Sequence, residues 1–257
     1  MMARLTFIWE MTRRDFVERF AGSVLGTLWV VIWPLVNMFV YIVIFGKFMG
    51  ARLPGSSNMS AYGVYLAVGL IPWISFSSTV SRSSNVFLEK KGIITKINTS
   101  LPSLLVFINF SEAITFVVSM AVVFLILLFT GASLSWFILY LPIVYYIQQI
   151  FALALGLIAA CLTVFVRDVR EVVGVLLQLW FWFTPIIYVL DIVPEFAQKI
   201  MIFNPMLPII SSYHNIFIYH SSPQLIQLCV VAFAFHVLLV LSFIMFRYLE
   251  KDIRDFL

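Results

Sequence analysis

Apolar runs long enough to cross a membrane recur along this chain and constrain its fold more than any other feature. A transmembrane helix needs about 20 consecutive, mainly apolar residues. Six runs are predicted as spans: Thr27–Phe45, Tyr62–Thr79, Leu104–Phe129, Trp136–Val166, Val172–Val189 and Leu225–Phe246. Only 11% of the residues are charged, against about 25% in soluble domains. The chain is therefore predicted to be an all-α membrane protein with a single transmembrane domain over residues 1–257.

Lysine and arginine are unevenly distributed between the predicted loops. If the N-terminus is cytoplasmic, thirteen of the 16 basic residues lie on the cytoplasmic side, and only Lys47, Arg52 and Lys199 lie outside. Short cytoplasmic loops of membrane proteins carry an excess of these residues. The distribution predicts a multi-pass protein with both termini in the cytoplasm.

Residues 1–22 are predicted to form an amphipathic helix at the membrane interface. Four of its apolar side chains share one narrow arc at helical spacing, Leu5, Trp9, Phe16 and Phe20, and Phe7 interrupts the pattern. A cytoplasmic helix packed on its own protein would show the same pattern. The interfacial interpretation is preferred because a span begins directly after this segment.

Residues 86–100 form a short basic loop that also contains aliphatic side chains. The candidates for contact with a cytoplasmic partner are Phe87, Leu88, Glu89, Lys90, Lys91 and Ile94. A solvated loop would not need the aliphatic residues, so the loop is predicted to couple the span to that partner. Lysines resting on lipid headgroups are the alternative.

Residues 184–223, between the fifth and sixth predicted spans, are interrupted by five prolines. The apolar pieces Phe196–Phe203 and Ile209–Tyr219 are too short to cross a membrane. They are predicted to be short re-entrant helices on the periplasmic side, where protein or a water-filled cavity supports their ends. An amphipathic cap on the outer surface is the alternative.

Catalytic patterns are missing from the sequence. The only Gly-Lys pair, Gly46-Lys47, has Tyr41 where a phosphate-binding loop needs its first glycine. The histidines lack metal-ligand spacing, and no serine has the surroundings of a nucleophile elbow. The chain is predicted to have no catalytic residue, metal or cofactor of its own.

Polar residues inside the predicted spans are few. Glu112 is the acidic residue well inside a span, and Gln148 and Gln149 are among its possible neighbours. A carboxylate in a bilayer usually faces the interior of the helix bundle. Gating and proton relay are possible roles, but a structural hydrogen bond to another helix is preferred, because one lone acid makes a poor relay.

Two further sets of side chains are candidates for contact with a ligand. Arginine binds phosphate with two parallel hydrogen bonds, so Arg13, Arg14 and Arg19 are candidates for holding a diphosphate, although cytoplasmic loops contain arginine in any case. Aromatic faces can support sliding sugar rings, and most aromatics in spans face lipid. The candidates for lining a channel are Tyr41, Phe45, Tyr145, Trp180 and Trp182.

Several motifs in this order resemble those of the membrane subunit of ABC-2-type polysaccharide exporters, the O-antigen, capsule and teichoic-acid group. They are Arg19-Phe-Ala-Gly-Ser-Val-Leu-Gly-Thr-Leu-Trp29 ahead of Trp33-Pro34-Leu35, Glu89-Lys90-Lys91-Gly92 leading to Pro102, Ser111-Glu112, Phe165-Val-Arg-Asp168, Trp182-Phe-Thr-Pro185-Ile-Ile-Tyr188 and Asn204-Pro205. The resemblance covers essentially the whole chain and is strongest to the O-antigen exporters.

The resemblance implies a homodimer in the bacterial inner membrane, paired with two copies of an ATP-binding subunit that binds ATP and magnesium. It also implies that the interface helix and the 86–100 loop transmit motion, and that the substrate is a polysaccharide linked to undecaprenyl diphosphate. Membrane lipids are expected partners, and nucleic acid is not. An ABC-2 exporter of a small lipid or drug and a membrane-bound glycan-lipid enzyme are the alternatives.

Overall fold

Helices form the secondary structure of the described part of the chain, which confirms the all-α class. The structure, a computed structural model, describes residues 2–48, 50, 59–95, 100–129 and 135–257. The α-helices are α1 Met2–Phe20, α2 Trp29–Tyr41, α3 Met59–Glu89, α4 Lys91–Ile94, α5 Leu101–Phe129, α6 Leu141–Phe165, α7 Val169–Trp182, α8 Glu195–Met201, α9 Leu207–Phe217 and α10 Leu225–Phe256. The shorter elements are 3-10 turns at Gly26–Leu28, Trp136–Tyr140 and Leu190–Ile192 and a π-helical stretch at Ile42–Phe48.

Five helical segments of the described chain are long and apolar enough to cross a membrane. They are Gly26–Phe48, Ala61–Glu89, Leu101–Leu128, Trp136–Phe165 and Leu225–Phe256, and they correspond to the first, second, third, fourth and sixth predicted spans. In their most apolar stretches, 78% of the residues of the second and fourth are buried, against 17% in the first and last. α3 and α6 therefore form the centre of the bundle, while α2 and α10 present most of their surface outward.

The predicted fifth span, Val172–Val189, is not one continuous helix. α7 has 14 residues and is about 21 Å long, whereas the apolar core of a bilayer is about 30 Å thick. The helix ends at Trp182 because Pro185 lacks an amide hydrogen and disfavours helical backbone at Thr184. A sixth crossing stays a prediction.

The central contact between α3 and α6 depends on a glycine. A Cβ atom at Gly156 would lie 2.6 Å from the Cβ of Ser83, which is far inside van der Waals contact. Small residues at helix crossings let two backbones approach closely within a membrane. Any larger side chain at position 156 would push the two helices apart.

α1, α4 and the last turns of α10 lie together at one end of the bundle, which we call the basic end. Buried apolar side chains from these helices and from α3, α5 and α6 form a common cluster there: Met11, Val86, Phe87, Ile94, Leu101, Leu104, Cys161, Ile253 and Leu257. α10 has 32 residues and is about 48 Å long, so it exceeds one membrane thickness. The buried Ile253 shows that its last turns support the basic end.

Candidate functional site

A cavity of about 560 Å³ lies between α2, α3, α5 and α7, and we call it the aromatic cavity. Its aromatic lining consists of Trp29, Trp33, Tyr41, Trp73 and Phe181. α3 adds the hydroxyl groups of Ser77, Ser78 and Ser81, and Ser81 lies on the same side of the helix as the other two because it follows them by four and three residues. The cavity therefore combines flat apolar faces with groups that donate and accept hydrogen bonds.

The lining of the aromatic cavity changes character along α3. It begins with the apolar Leu70 and Trp73 and reaches Ser81 about 16 Å further along the helix axis. Arg19 and Glu112 belong to the same lining. The cavity therefore reaches a charged region that joins α1 to α5.

Four charged side chains and one hydroxyl form the ion-pair cluster: Asp15 and Arg19 of α1, Arg82 of α3, and Ser111 and Glu112 of α5. Glu112 Oε1 accepts hydrogen bonds from Arg19 Nη2 at 2.6 Å and from Arg82 Nη1 at 2.7 Å. Arg82 Nη2 also donates to Asp15, and Ser111 Oγ donates to Asp15 Oδ2 at 2.6 Å. The cluster ties α1 to two helices of the bundle, α3 and α5.

Burial makes the ion-pair cluster costly to disrupt. The Glu112 side chain is 2% exposed, and an uncompensated buried charge is strongly destabilising. Burial alone would raise the pKa of the Asp15 carboxyl, but Arg82 and the hydrogen bond from Ser111 hold that pKa below its ordinary value of 3.8. Both carboxylates are thus matched by arginines, and the four charges sum to zero.

Gln148 and Gln149, the predicted neighbours of Glu112, lie in a separate hydrogen-bond network between α3 and α6. Gln149 Nε2 donates to Ser75 Oγ at 3.0 Å and to Tyr145 Oη at 2.8 Å. Gln148 Nε2 donates to a backbone carbonyl of α3 at 3.0 Å. Both amides hold the central helices together, while the partners of Glu112 are arginines.

Arg82 and Asp15 were not identified from the sequence. The serines of α3 lower its hydropathy, so the predicted second span ends at Thr79, although the helix continues to Glu89. Arg82 therefore counted as a loop residue in the charge distribution. The spacing of Asp15 and Arg19, four residues apart on one helix, was the one available signal.

The five aromatic candidates for a channel lining occupy different environments. Tyr41 lines the aromatic cavity, and the half-buried Phe45 lies beside it, with ring centroids 6.1 Å apart. Tyr145 belongs to the network between α3 and α6. Trp180 packs against the core, and its indole N–H donates a hydrogen bond to Asn204 Oδ1 at 2.7 Å. Trp182 is exposed on α7.

The three candidate arginines for diphosphate binding do not converge on one place. Arg13 and Arg14 are exposed on α1 and line a shallow depression that also contains Glu10 and Glu18. Arg19 lines the aromatic cavity and pairs with the acids of the ion-pair cluster. Any role of Arg13 and Arg14 therefore belongs to the surface of α1, and only Arg19 reaches the cavity.

The apolar candidates of the 86–100 loop face the protein itself. Phe87 and Ile94 are buried in the cluster at the basic end, and Leu88 is half-buried against it. Residues 96–99 lie outside the described part of the chain. Through Phe87 and Ile94, a force applied to the α4 turn would pass to α1, α5 and α10.

The charged candidates of the same loop face outward. Glu89 and Lys91 are exposed, and Glu89 accepts a hydrogen bond from Asn85 at 2.7 Å. Lys90 Nζ lies 3.9 Å from Glu18 Oε2 on α1. The α4 turn thus presents charges on its outer surface and apolar side chains on its inner surface.

In the non-helical segment 183–188, which we call the α7 break, several backbone carbonyls accept hydrogen bonds from side chains. Tyr62 Oη donates to the Ile187 carbonyl at 2.9 Å, and Asn204 Nδ2 donates to the Phe183 carbonyl at 3.0 Å. Non-helical backbone at membrane depth is tolerated only where protein or water meets its polar groups. These bonds give the break a fixed position.

α9 packs inside the bundle, at the end opposite the basic end. Ile209, Ile210 and Tyr213 are fully buried, and the His214 ring stacks on Tyr65 with centroids 3.8 Å apart. Burial lowers the pKa of the His214 imidazole to about 3, although the hydrogen bond to the Tyr65 carbonyl opposes that change. Surrounding protein meets the condition for a re-entrant helix, and re-entry itself stays a prediction.

The sequence is similar to those of known membrane transport proteins. The profile of the ABC-2 type transporter family matches residues 6–218. The chain is 31% identical over 232 residues to the O-antigen export system permease protein RfbA of Myxococcus xanthus, covering 90% of this chain and 87% of that protein. A Klebsiella pneumoniae RfbA is 31% identical over 80% of this chain and 78% of its own. The polysialic acid transport protein KpsM of Escherichia coli is 24% identical over 77% and 75%.

Proposed function

This chain belongs to the ABC-2 type transporter family, and from that premise we propose that it is the transmembrane subunit of an exporter of polysaccharide. Its relatives are named for O-antigen export and for polysialic acid transport. Both of those cargoes are sugar polymers. An exporter of small lipids or drugs has no such support, and neither does a membrane-bound glycan-lipid enzyme.

The lining of the aromatic cavity is the observation that supports this function best. Sugar rings have apolar faces that stack on flat side chains such as the exposed Trp29 and Trp33, while their hydroxyls exchange hydrogen bonds with serines such as Ser78. Conduction requires binding that is favourable enough for entry and weak enough for release. Many weak aromatic and hydroxyl contacts meet both requirements for a long polymer.

A second copy of the chain would complete the passage. α2 lines the cavity and exposes a broad apolar surface, with Trp33 65% and Phe39 68% exposed. α7 adds exposed apolar residues such as Leu179 and Trp182. A homodimer that joins two such cavities across a twofold axis is the simplest closed assembly of this chain.

The energy for transport would come from two copies of a separate subunit that binds ATP and magnesium. The sequence of this chain has no phosphate-binding loop. The exposed Glu89, at the end of α3, and the exposed Lys91, at the start of α4, are the proposed contact with that subunit. Phe87 and Ile94 anchor the turn in the basic-end cluster, which would pass the motion to α1 and α5.

The proposed substrate is a polysaccharide on undecaprenyl diphosphate, moved across the bacterial inner membrane to the periplasm. In this orientation the basic end and both termini are cytoplasmic. Arg13 and Arg14 on the surface of α1 would attract the diphosphate, and Arg19 would meet it at the aromatic cavity. The polyprenyl chain would remain in the surrounding lipid.

Export from vesicles that contain the chain and its ATP-binding subunit tests this function. Replacing both Trp29 and Trp33, which are exposed in the cavity, by alanine is expected to slow ATP-dependent polysaccharide transfer by about tenfold, since a factor of ten needs only about 1.4 kcal/mol. Phe233→Ala, on the exposed face of α10, is the control and should transport normally. Transfer of small lipids or dyes with no response to polysaccharide would reject the proposal.

A further inference from the structure

The two arginines of the ion-pair cluster are not equivalent. Arg82 contacts both acids, through Nη1 to Glu112 at 2.7 Å and through Nη2 to Asp15. Arg19 has one close ionic contact, to Glu112 at 2.6 Å, and its other acid, Asp15, lies 3.6 Å away. Arg82 is therefore the cation that holds the two acids together, and Arg19 adds to an arrangement that is already paired.

Departure of Arg19 would leave no acid of the cluster without a partner. Glu112 would keep its hydrogen bond from Arg82, and Asp15 would keep those from Arg82 and Ser111. Removal of the last cation beside a buried acid is costly, whereas the loss of one of two cations is less so. Arg19 is thus the member of the cluster that can change partners.

Position also distinguishes Arg19. Its side chain and that of Arg82 are both 26% exposed, but of the two only Arg19 lines the aromatic cavity, together with Glu112, whose side chain is 2% exposed. An anion that enters the cavity would compete for the Arg19 guanidinium mainly with the Glu112 carboxylate at 2.6 Å, since Asp15 is more distant at 3.6 Å. The planar guanidinium binds phosphate oxygens through two hydrogen bonds, with a geometry that a single carboxylate oxygen does not fill.

We propose that Glu112 is the internal counter-ion of Arg19 and that the diphosphate group of the substrate displaces it when the substrate enters the cavity. This inference rests on the proposed function, because it concerns the head group of the same substrate. Glu112 then has two effects. It holds Arg19 at the cavity when no substrate is present, and by competing for Arg19 it keeps the diphosphate bound weakly enough to leave.

Titration with farnesyl diphosphate tests the exchange in the assembled complex, reconstituted in nanodiscs without nucleotide. Arg19→Gln is expected to weaken binding about tenfold, which corresponds to the loss of one charge-assisted hydrogen bond. Glu112→Gln is expected to tighten binding by a similar factor, because the competitor is gone. Arg170→Gln, whose ion pair with Glu171 is exposed, is the matched control and should bind as the unmodified protein does.

The double variant Arg19→Gln with Glu112→Gln separates exchange from a general field effect. If Glu112 competes for Arg19, the tightening caused by Glu112→Gln disappears when Arg19 is absent. An equal tightening in both backgrounds would show that Glu112 merely repels anions, and it would overturn the inference. An unchanged dissociation constant for a folded Glu112→Gln protein would overturn it as well.

A conservative variant and a ligand without a lipid tail complete the test. If Glu112→Gln does not fold, Glu112→Asp withdraws the carboxylate by one methylene and should tighten binding to a smaller extent; unchanged or weaker binding contradicts the exchange. Inorganic pyrophosphate, which has no lipid tail, should show the same order of variants at lower affinity. Stimulation of ATP hydrolysis by lipid-linked polysaccharide is measured separately, so failure of the proposed function and failure of the exchange give different results.

Discussion

The ion-pair cluster at the basic end and the α7 break at the opposite end solve the same physical problem in different ways. Both place polar groups in apolar surroundings, where an unsatisfied group costs several kcal/mol (roughly 2–7). The ion-pair cluster uses opposite charges on three helices, from Asp15 to Glu112. The α7 break uses neutral donors, such as Tyr62 and Asn204, on backbone carbonyls.

The difference matters because charges and carbonyls respond differently to a ligand. A charged pair can exchange one partner for another ion of the same sign, as we infer for Arg19. A backbone carbonyl bonded to Asn204 has no equivalent substitute, so the α7 break either keeps its geometry or loses a bond. The basic end is thus suited to a change of state, and the α7 break is suited to holding α7, α8 and α9 in place.

The largest expected effect is that of Arg82→Gln. It leaves the buried Glu112 and the partly buried Asp15, whose side chains are 2% and 12% exposed, with Arg19 as the remaining arginine of the cluster, and breaking a buried pair costs about 3–5 kcal/mol. Thermal unfolding of the detergent-solubilised protein is the measurement. Arg170→Gln is the control, because an exposed pair contributes about 0–1 kcal/mol. Equal unfolding temperatures for the two variants would contradict the structural role of Arg82.

A smaller loss of stability is expected from Asn204→Ala at the α7 break. The side chain donates to the Phe183 carbonyl and to Thr184 Oγ1, and it accepts from Trp180. Losing these bonds should lower the free energy of unfolding by about 2–3 kcal/mol. Gln227→Ala on the exposed face of α10 should change the free energy of unfolding little. Equal free energies of unfolding for the two variants would contradict the structural role of Asn204.

Acid should weaken the two ends over different pH ranges. The pKa of His214 falls from 6.5 in the unfolded chain to about 3 in the folded protein, so this histidine binds a proton mainly in the unfolded chain. The free energy of unfolding should therefore decline as the pH falls below 6.5, by about 1.4 kcal/mol at pH 5.5. Asp15, with its pKa below 3.8, contributes stability that is lost only at lower pH. His214→Gln should therefore remove the decline between pH 6.5 and 4.

His236→Gln is the control for that pH series, because His236 is exposed on α10. Its unfolding temperature should show the same decline between pH 6.5 and 4 as the unmodified protein. The assignment to His214 is wrong if His236→Gln flattens the curve, or if His214→Gln leaves the curve unchanged.

The smallest effect on stability is expected from Lys90→Glu combined with Lys91→Glu. Lys91 is exposed, and the pair of Lys90 with Glu18 is long, so the free energy of unfolding should change by less than about 1 kcal/mol. Export should nevertheless fall, because the charge of the proposed contact with the ATP-binding subunit is reversed. Normal pairing with that subunit and normal export would exclude the coupling role of these lysines.

The sequence predicted the helices well where hydropathy alone determines them. Five of the six predicted spans correspond to long apolar helices, since about 20 apolar residues have few other stable arrangements. Pro185 already indicates a break in the remaining one. The partners that hold this break, such as Tyr62 and Asn204, come from distant parts of the chain and have no local signal.

The ion-pair cluster could not be derived from the sequence for a related reason. Its members come from three helices, and Arg82 lies 67 residues from Asp15 along the chain. Helical spacing relates only neighbours such as Asp15 and Arg19. The choice of an arginine rather than Gln149 as the partner of Glu112 depends on how α1 packs against α3 and α5, which a single sequence does not specify.

Photo-crosslinking of polysaccharide in transit tests the central claim most directly. A photoreactive phenylalanine analogue replaces Trp33 in the aromatic cavity or, as control, Phe233 on the exposed face of α10. In the complex with its ATP-binding subunit and lipid-linked polysaccharide, the analogue at position 33 should become attached to glycan and the one at 233 should not. Glycan attached at neither position, or equally at both, would contradict a polysaccharide path through this cavity.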